Sequence, residues 1–321
     1  MDLIYMNKSM EDVGILKDYT FDLAFGSDEN NFECVVTSKN HCCQAGFFLY
    51  IEGTEYGGIV DSIKIDTEAE EIVYQGRTWH GMLASKILEP NPGEDYLILS
   101  GDANAVLATL IARMGLQDLF RASSEDMGLV LANYKMSRYI DGYSGVKKML
   151  KSIGAKLNVK YNNGFVELSA KPLVDYSQDE QFDTDQIDFV IQQNHNHINH
   201  IICLGGGDLA ERTVVHLYAD AEGNISTEQT FTGLDEVTEV YEYASAESED
   251  DLIQGGTEKL QESWNSNEVN FNFNSDEKSY DIGDIIGAVE KSTGIEVKAD
   301  VTKKIVTIKD NTTTISYKVG E

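Results

Sequence analysis

The sequence predicts an α+β protein that is mainly β, with two β-barrel-like domains joined by a smaller α/β region. Three observations carry this. Both ends of the chain show short alternating strands separated by glycine turns, the pattern of antiparallel barrels and sandwiches. At Thr78 the apolar period changes to that of helices. After the polar, acidic run from Pro172 to Asp185 it returns to that of strands. The expected domains are an N-terminal β-barrel-like domain (1–78), an α/β middle region (79–185) and a C-terminal β-barrel-like domain with one helix (186–321).

Each element has its own signal. Tyr19, Phe21, Leu23 and Phe25 alternate on one strand face. Strands are also predicted from Phe32 to Val36, Phe47 to Ile51, Gly57 to Ile65 and Glu71 to Arg77. Thr78 is placed to cap a helix from Trp79 to about Leu88, ended by Pro90 and Pro92. Asp102 caps a second helix, with Val106, Leu107, Leu110, Ile111 and Met114 as its stripe and Gly115 at its C-cap. A third helix is expected from Ser144 to Gly154. Asn163-Gly164 fits a type I′ hairpin turn between two strands. Further on, strands are expected at Asn199–Leu204, Arg212–Tyr218 and Ile225–Phe231, and a helix over about Ser248–Trp264. The last stretch reads as a turn at Asp281–Asp284, a strand at Ile285–Glu290, two strands or one bent strand over Ile295–Asp310, and a final strand to Val319.

Composition excludes some functions. The 55 Asp and Glu exceed the 25 Lys and Arg, a formal net charge of −30. Binding to a phosphate backbone needs a basic surface, so specific nucleic-acid binding is not expected. No apolar run reaches the ~18 residues of a membrane span. The start of the chain lacks the basic and small-residue signals of a secretory leader. Cys34, Cys42, Cys43 and Cys203 show no CxxC spacing and are expected to be reduced packing or surface thiols.

The one tempting chemical cluster is His195, His197 and His200, three of the six histidines. Imidazole is a common metal ligand, and His195 and His197 would share a strand face. His200 would then point the other way, and neither an HExxH motif nor a cysteine pair completes a site. Gly205–Gly207 lacks the Lys-Ser/Thr of a phosphate loop and reads as a turn. Trp79, His80 and Trp264 read as packing anchors. No serine sits in a GxSxG elbow. No catalytic, cofactor-binding or metal-binding residue is therefore assigned. Two alternatives stay open: a metal-dependent enzyme using His195, His197 and His200, and a β-type carbohydrate or peptide binding module.

Three segments carry a resemblance. Gly57–Ile63 with Val73–Leu88 joins a strand ending in Gly76-Arg77 to a helix. Asn199–Arg212 joins a strand ending in glycines to an arginine-led strand. Tyr280–Ile286, Lys303–Val306 and Tyr317–Gly320 form the third segment. In this order they resemble siphophage and prophage tail hub proteins over nearly the whole chain. Lys86 stands where that pattern has arginine. The resemblance implies two related β-barrel domains around smaller α/β parts. It also implies a structural baseplate or tail-tip hub, a homotrimeric, pseudo-sixfold ring joining the tail tube to the tip. Its partners would be itself and neighbouring tail proteins such as the distal tail and tape-measure proteins. Its location would be the virion tail, and the bacterial host cytoplasm before assembly. Many relatives continue into a hydrolase or fibre region. This sequence stops at Glu321, where the hub portion is expected to end, so no lytic activity is assigned. No cofactor is expected. Carboxylates are expected on the face of the channel through which DNA passes.

Overall fold

A computed structural model of the chain describes residues 1–27, 29–178, 181–183, 190–192, 197–221, 223–246, 248–264, 268–274, 279–310 and 312–320. Strands dominate, as predicted. The chain forms two compact units, Met1–Phe189 with Asn270–Glu321, and Val190–Val269.

The first unit opens with β1 (Leu3–Met6), β2 (Asp12–Leu16), β3 (Tyr19–Gly26), β4 (Asn31–Thr37), β5 (Phe48–Tyr50), β6 (Gly57–Asp66) and β7 (Glu71–Thr78). They pair in the order β2–β1–β5–β6–β7–β4–β3. Beyond β3 the sheet does not end. Ile295–Lys309 pairs antiparallel with it, from Lys303 opposite Gly26 to Lys309 opposite Thr20. Thr312–Val319 pairs with the far side of that strand. The first half of Ile295–Lys309 pairs instead with Ile285–Glu290, so this run is one long strand serving two partners.

This arrangement differs from two separate barrels. Among the described residues no sheet closes on itself. The closing strands extend the N-terminal sheet, and Val306 and Ile308 share one core with Phe21, Phe25, Phe32 and Tyr74. The physical reason is the open edge of β3. A strand presenting alternate apolar residues there satisfies its backbone and buries its side chains in one step. The two compact units thus divide the chain at other places than 1–78, 79–185 and 186–321.

The helical part packs within the first unit. Thr78 caps α1 (Trp79–Ala84), its hydroxyl accepting from the Gly81 amide at 3.3 Å. The helix stops short of the expected Leu88, because Ile87–Leu88 pairs as a strand with Ile140–Asp141. Asp102 caps α2 (Ala103–Arg113), as predicted. Asp141 caps α3 (Gly142–Lys151), which begins two residues before the expected Ser144. Ala155–Asn162 and Phe165–Pro172 form the predicted hairpin, with Asn163 and Gly164 both at positive φ. Strands at Leu97–Asp102, Phe120–Ala122 and Val130–Met136 were not foreseen. Trp79 is fully buried, near-parallel to Tyr161 at 5.7 Å and edge-on to Phe120 at 6.5 Å. The expected packing role of this residue is met.

The second unit is a four-stranded sheet with one helix. His200–Leu204 lies between Val214–Ala219, antiparallel, and Thr238–Glu242, parallel. Ile225–Ser226 adds a short outer strand. Helix α4 (Glu249–Trp264) sets Leu252 and Leu260 in one core with Ile201, Cys203, Val215 and Leu217. Gly256 is required at the crossing, since a Cβ there would lie 2.3 Å from Cys203 Sγ.

The Gly76-Arg77 step shows how sequence sets the first sheet. A bulge between Val60 and Ser62 turns Asp61 toward Arg77. The Asp61 carboxylate accepts from the Arg77 amide and from Nε and Nη2, at 3.0, 2.8 and 2.7 Å. Closure of this bulge leaves no room at Gly76, where a Cβ would sit 1.8 Å from the Ile59 carbonyl oxygen. Gly76→Ala is expected to lower unfolding free energy by about 3 kcal/mol or more. Chemical denaturation checks this, and a change below about 0.5 kcal/mol, the range of ordinary surface substitutions, would show that the bulge relaxes freely.

Candidate functional site

Among the described residues, His197 and His200 bond to different partners. His195 lies outside the described residues. His197 precedes the strand, with Nδ1 3.1 Å from the Ser263 carbonyl oxygen at the end of α4. His200 begins the central strand of the second unit, with Nδ1 2.7 Å from Glu236 Oε1 and Nε2 2.8 Å from His216 Nδ1. The partner of His200 is thus His216, placed there by cross-strand register. The sequence reading missed it because sixteen residues separate the two. Among the described residues no three His, Cys, Asp or Glu side chains converge as metal ligands.

Gly205–Gly207 turns the chain between two strands, with Gly207 at φ +98°. A side chain there would strike the Glu211 carbonyl oxygen at 2.6 Å, so the glycine serves the turn. Cys42 and Cys43 are free thiols in a loop, with Sγ atoms 3.6 Å apart. The Tyr74 hydroxyl accepts from both of their amides.

The densest polar chemistry lies elsewhere, inside the first unit. Lys304, on the long closing strand, is 2% exposed. Its Nζ donates to Glu55 Oε1 at 2.6 Å. The rings of Phe25, Tyr56 and Tyr317 stand 5.9–6.0 Å from the ammonium. Burial alone would lower the Lys304 pKa, but the Glu55 carboxylate outweighs it and holds the group well above its ordinary value. His80 lies on the other side of Glu55, Nε2 to Oε2 at 3.8 Å. Its ring stacks on Phe25 at 4.6 Å and meets Tyr143 edge-on at 5.3 Å. Burial, with the nearby charges of Lys304 and Lys147, pushes His80 down to about 3, so it is neutral at physiological pH. Its Nδ1 is buried without a hydrogen-bond partner among the described residues.

A second buried ion pair lies in the same unit. Lys156 Nζ donates to Asp281 at 2.7 Å and to both oxygens of Asp284 at 2.7 and 2.8 Å. Asp284, 1% exposed, also accepts from the amides of Val174 and Asp281. Burial opposes the Lys156 charge, and the two aspartates more than restore it. The turn at Asp281–Asp284 therefore anchors the closing segment to the middle hairpin. A cavity of about 400 Å³ opens beside both pairs, lined by Glu55, His80, Tyr143, Lys304, Asp281 and Lys160 among others. Around it Lys304 is charged and paired with Glu55, and Asp281 is held by Lys156, while neutral His80 keeps its buried Nδ1 without a partner among the described residues. This geometry fastens elements together.

Sequence patterns alone could not reveal these groups. Lys304 reads as an ordinary polar step in a strand, and its partner Glu55 lies 249 positions away.

Solved structures resemble the whole chain. No known protein family and no curated protein matches it in sequence. The tail protein from Neisseria meningitidis MC58 superposes with a TM-score of 0.55 at 10% identity, over 100% of this chain and 96% of that one. Prophage tail protein gp18 from Listeria monocytogenes EGD-e gives 0.57 at 12%, over 99% and 94%. The 43 kDa tail protein of prophage MuSo2 from Shewanella oneidensis gives 0.60 at 10%, over 99% and 98%.

Two outcomes test the buried groups. Asp284→Ala leaves Lys156 with only the half-exposed Asp281, so stability should fall by about 3 kcal/mol. The double change Lys156→Met, Asp284→Leu should recover most of that loss in a denaturant titration. His80 gives a pH signature. Its ordinary pKa of 6.5 applies to the unfolded chain, and about 3 to the folded one. Between those values the unfolded chain binds the extra proton, so this group's contribution is complete above pH 6.5 and is lost as pH falls. The loss is about 1.4 kcal/mol per pH unit. His80→Phe keeps the stack on Phe25 and should flatten the stability–pH slope by about one proton, read as melting temperature from pH 7 to pH 4. An unchanged slope would show that His80 protonates equally in both states.

At 10–12% identity the likeness is one of fold, and the chain has the fold of phage and prophage tail proteins over nearly its entire length.

Proposed function

We propose that the chain is a structural protein of a phage or prophage tail, acting as a tail-tip or baseplate hub. The observation that carries this reading is coverage: the fold match takes in 99–100% of this chain and 94–98% of each of the three tail proteins. A shared fragment would not give such numbers in both directions. The buried chemistry agrees with it, because the charged groups of the first unit lock strands distant in sequence and leave a rigid body. In this reading copies of the chain form a homotrimeric ring that joins the tube to the tip. The distal tail and tape-measure proteins are its neighbours, and it resides in the virion tail after assembly in the host cytoplasm.

The net charge of −30 bears on that ring. Acidic groups facing a central channel would repel a passing duplex over about 8 Å at physiological salt. The same charge opposes association of subunits, so apolar contacts must hold them. Sedimentation velocity across a salt series tests this, with electron microscopy of the associated species. A threefold ring, favoured as salt rises from 50 to about 500 mM, is the expected result. A chain that stays monomeric at every salt and protein concentration, or a ring that dissociates as salt is added, would count against the hub reading.

A further inference from the structure

The second unit has two unlike sheet faces. Ile201, Cys203, Val215 and Leu217 share a core with α4. Strand alternation puts His200, Ile202, Val214, His216, Tyr218 and Val240 on the opposite face. Register joins them across three strands: Ile202 stands opposite both His216 and Val240, and His200 opposite Tyr218. Among the described residues of the unit no helix covers this face, and Val214 and Val240 are 47% and 51% exposed.

The face is also held in shape. The His200 ring stacks on Tyr218 at 4.3 Å and on His216 at 5.1 Å. The bond from His200 to His216 and its contact with Glu236 fix both the tautomer pattern and the ring planes. A preformed surface loses little side-chain freedom when it docks. At the two ends of the sheet the connecting loops present Leu209, 95% exposed, and Leu234, fully exposed.

Charge decides what such a face can meet. Residues 190–269 hold 16 Asp and Glu against two cations, Arg212 and Lys259, a formal net of −14. The other 241 residues carry the remaining −16, so this unit is by far the more acidic for its size. Glu236 and Glu242 stand at the border of the face, Glu236 on His200 and Glu242 on Arg212. We propose that this sheet face docks a basic protein partner, one that presents an apolar centre ringed by arginine and lysine. A second copy of this face is disfavoured, because two such acidic units repel at contact. A nucleic acid is disfavoured by the same sign of charge. The proposal does not depend on the tail reading, since it rests on the second unit alone.

The test uses the full chain and two synthetic peptides with identical apolar positions, one carrying arginine and the other glutamate at the remaining positions. Methyl NMR of isoleucine, leucine and valine reports the contact. The arginine peptide should shift the methyls of Ile202, Val214 and Val240, leave Leu252 and Leu260 unmoved, and bind more weakly as salt rises. Val214→Asp and Val240→Asp, both at exposed positions, should each retain the wild-type circular dichroism and melting temperature. Each should weaken binding of the arginine peptide about tenfold. Equal binding of the glutamate peptide would overturn the proposal. So would an arginine peptide that binds both variants as well as the wild type, which would mean diffuse attraction to charge. Self-association abolished by Val240→Asp would overturn it too, by assigning the face to a second copy.

Discussion

One buried ammonium sets the terms for the first unit. Lys304 reaches the core on a strand where it stands opposite Phe25, some 280 residues earlier in the chain, and the carboxylate that meets it there is Glu55. A charge with so little water must be matched in place, and it is matched by that carboxylate and by the faces of Phe25, Tyr56 and Tyr317. These four residues come from β3, the loop before β6 and the terminal strand. Satisfying one lysine therefore fixes the relative placement of three separate segments.

The same logic governs two groups beside the cavity. His80 is held neutral by burial and by the positive charge of Lys304, and Lys304 is held charged by Glu55. General acid–base chemistry wants a group poised near the working pH. His80 and Lys304 are driven away from it, one down and one up, while burial raises the Glu55 carboxyl from its ordinary value. The buried ion pairs of this unit hold strands distant in sequence against one another.

Much of the local structure was legible in the sequence. Thr78, Asp102 and the Asn163-Gly164 pair announced two helix starts and a hairpin through side-chain chemistry that acts within four residues. The alternation of Phe21, Leu23 and Phe25 gave β3 its buried face. Three things were not legible. Val130–Met136 forms a strand although four of its seven residues are exposed or carry polar side chains, because Leu97–Asp102 offers it an edge. The closing strands join the first sheet, a choice made by the free edge of β3 that no local pattern encodes. The His200–His216 contact depends on register between strands, which spacing along the chain does not encode. Local rules fail where the partner is remote.

The long closing strand also sets an order of events. Thr307 bonds to Asp22 across 285 positions, and Val306 and Ile308 complete the core around Phe21 and Phe25. On the ribosome, β3 emerges long before its neighbour on that side exists. Its outer edge has no such neighbour while residues 190–269, the second unit, are made. The nascent first unit spends this interval with an unpaired strand edge and a half-built apolar core, the state most prone to pair with another chain. Synthesis speed through the second unit thus sets how long the first remains vulnerable, and production at low temperature or with a holding chaperone acts on that interval.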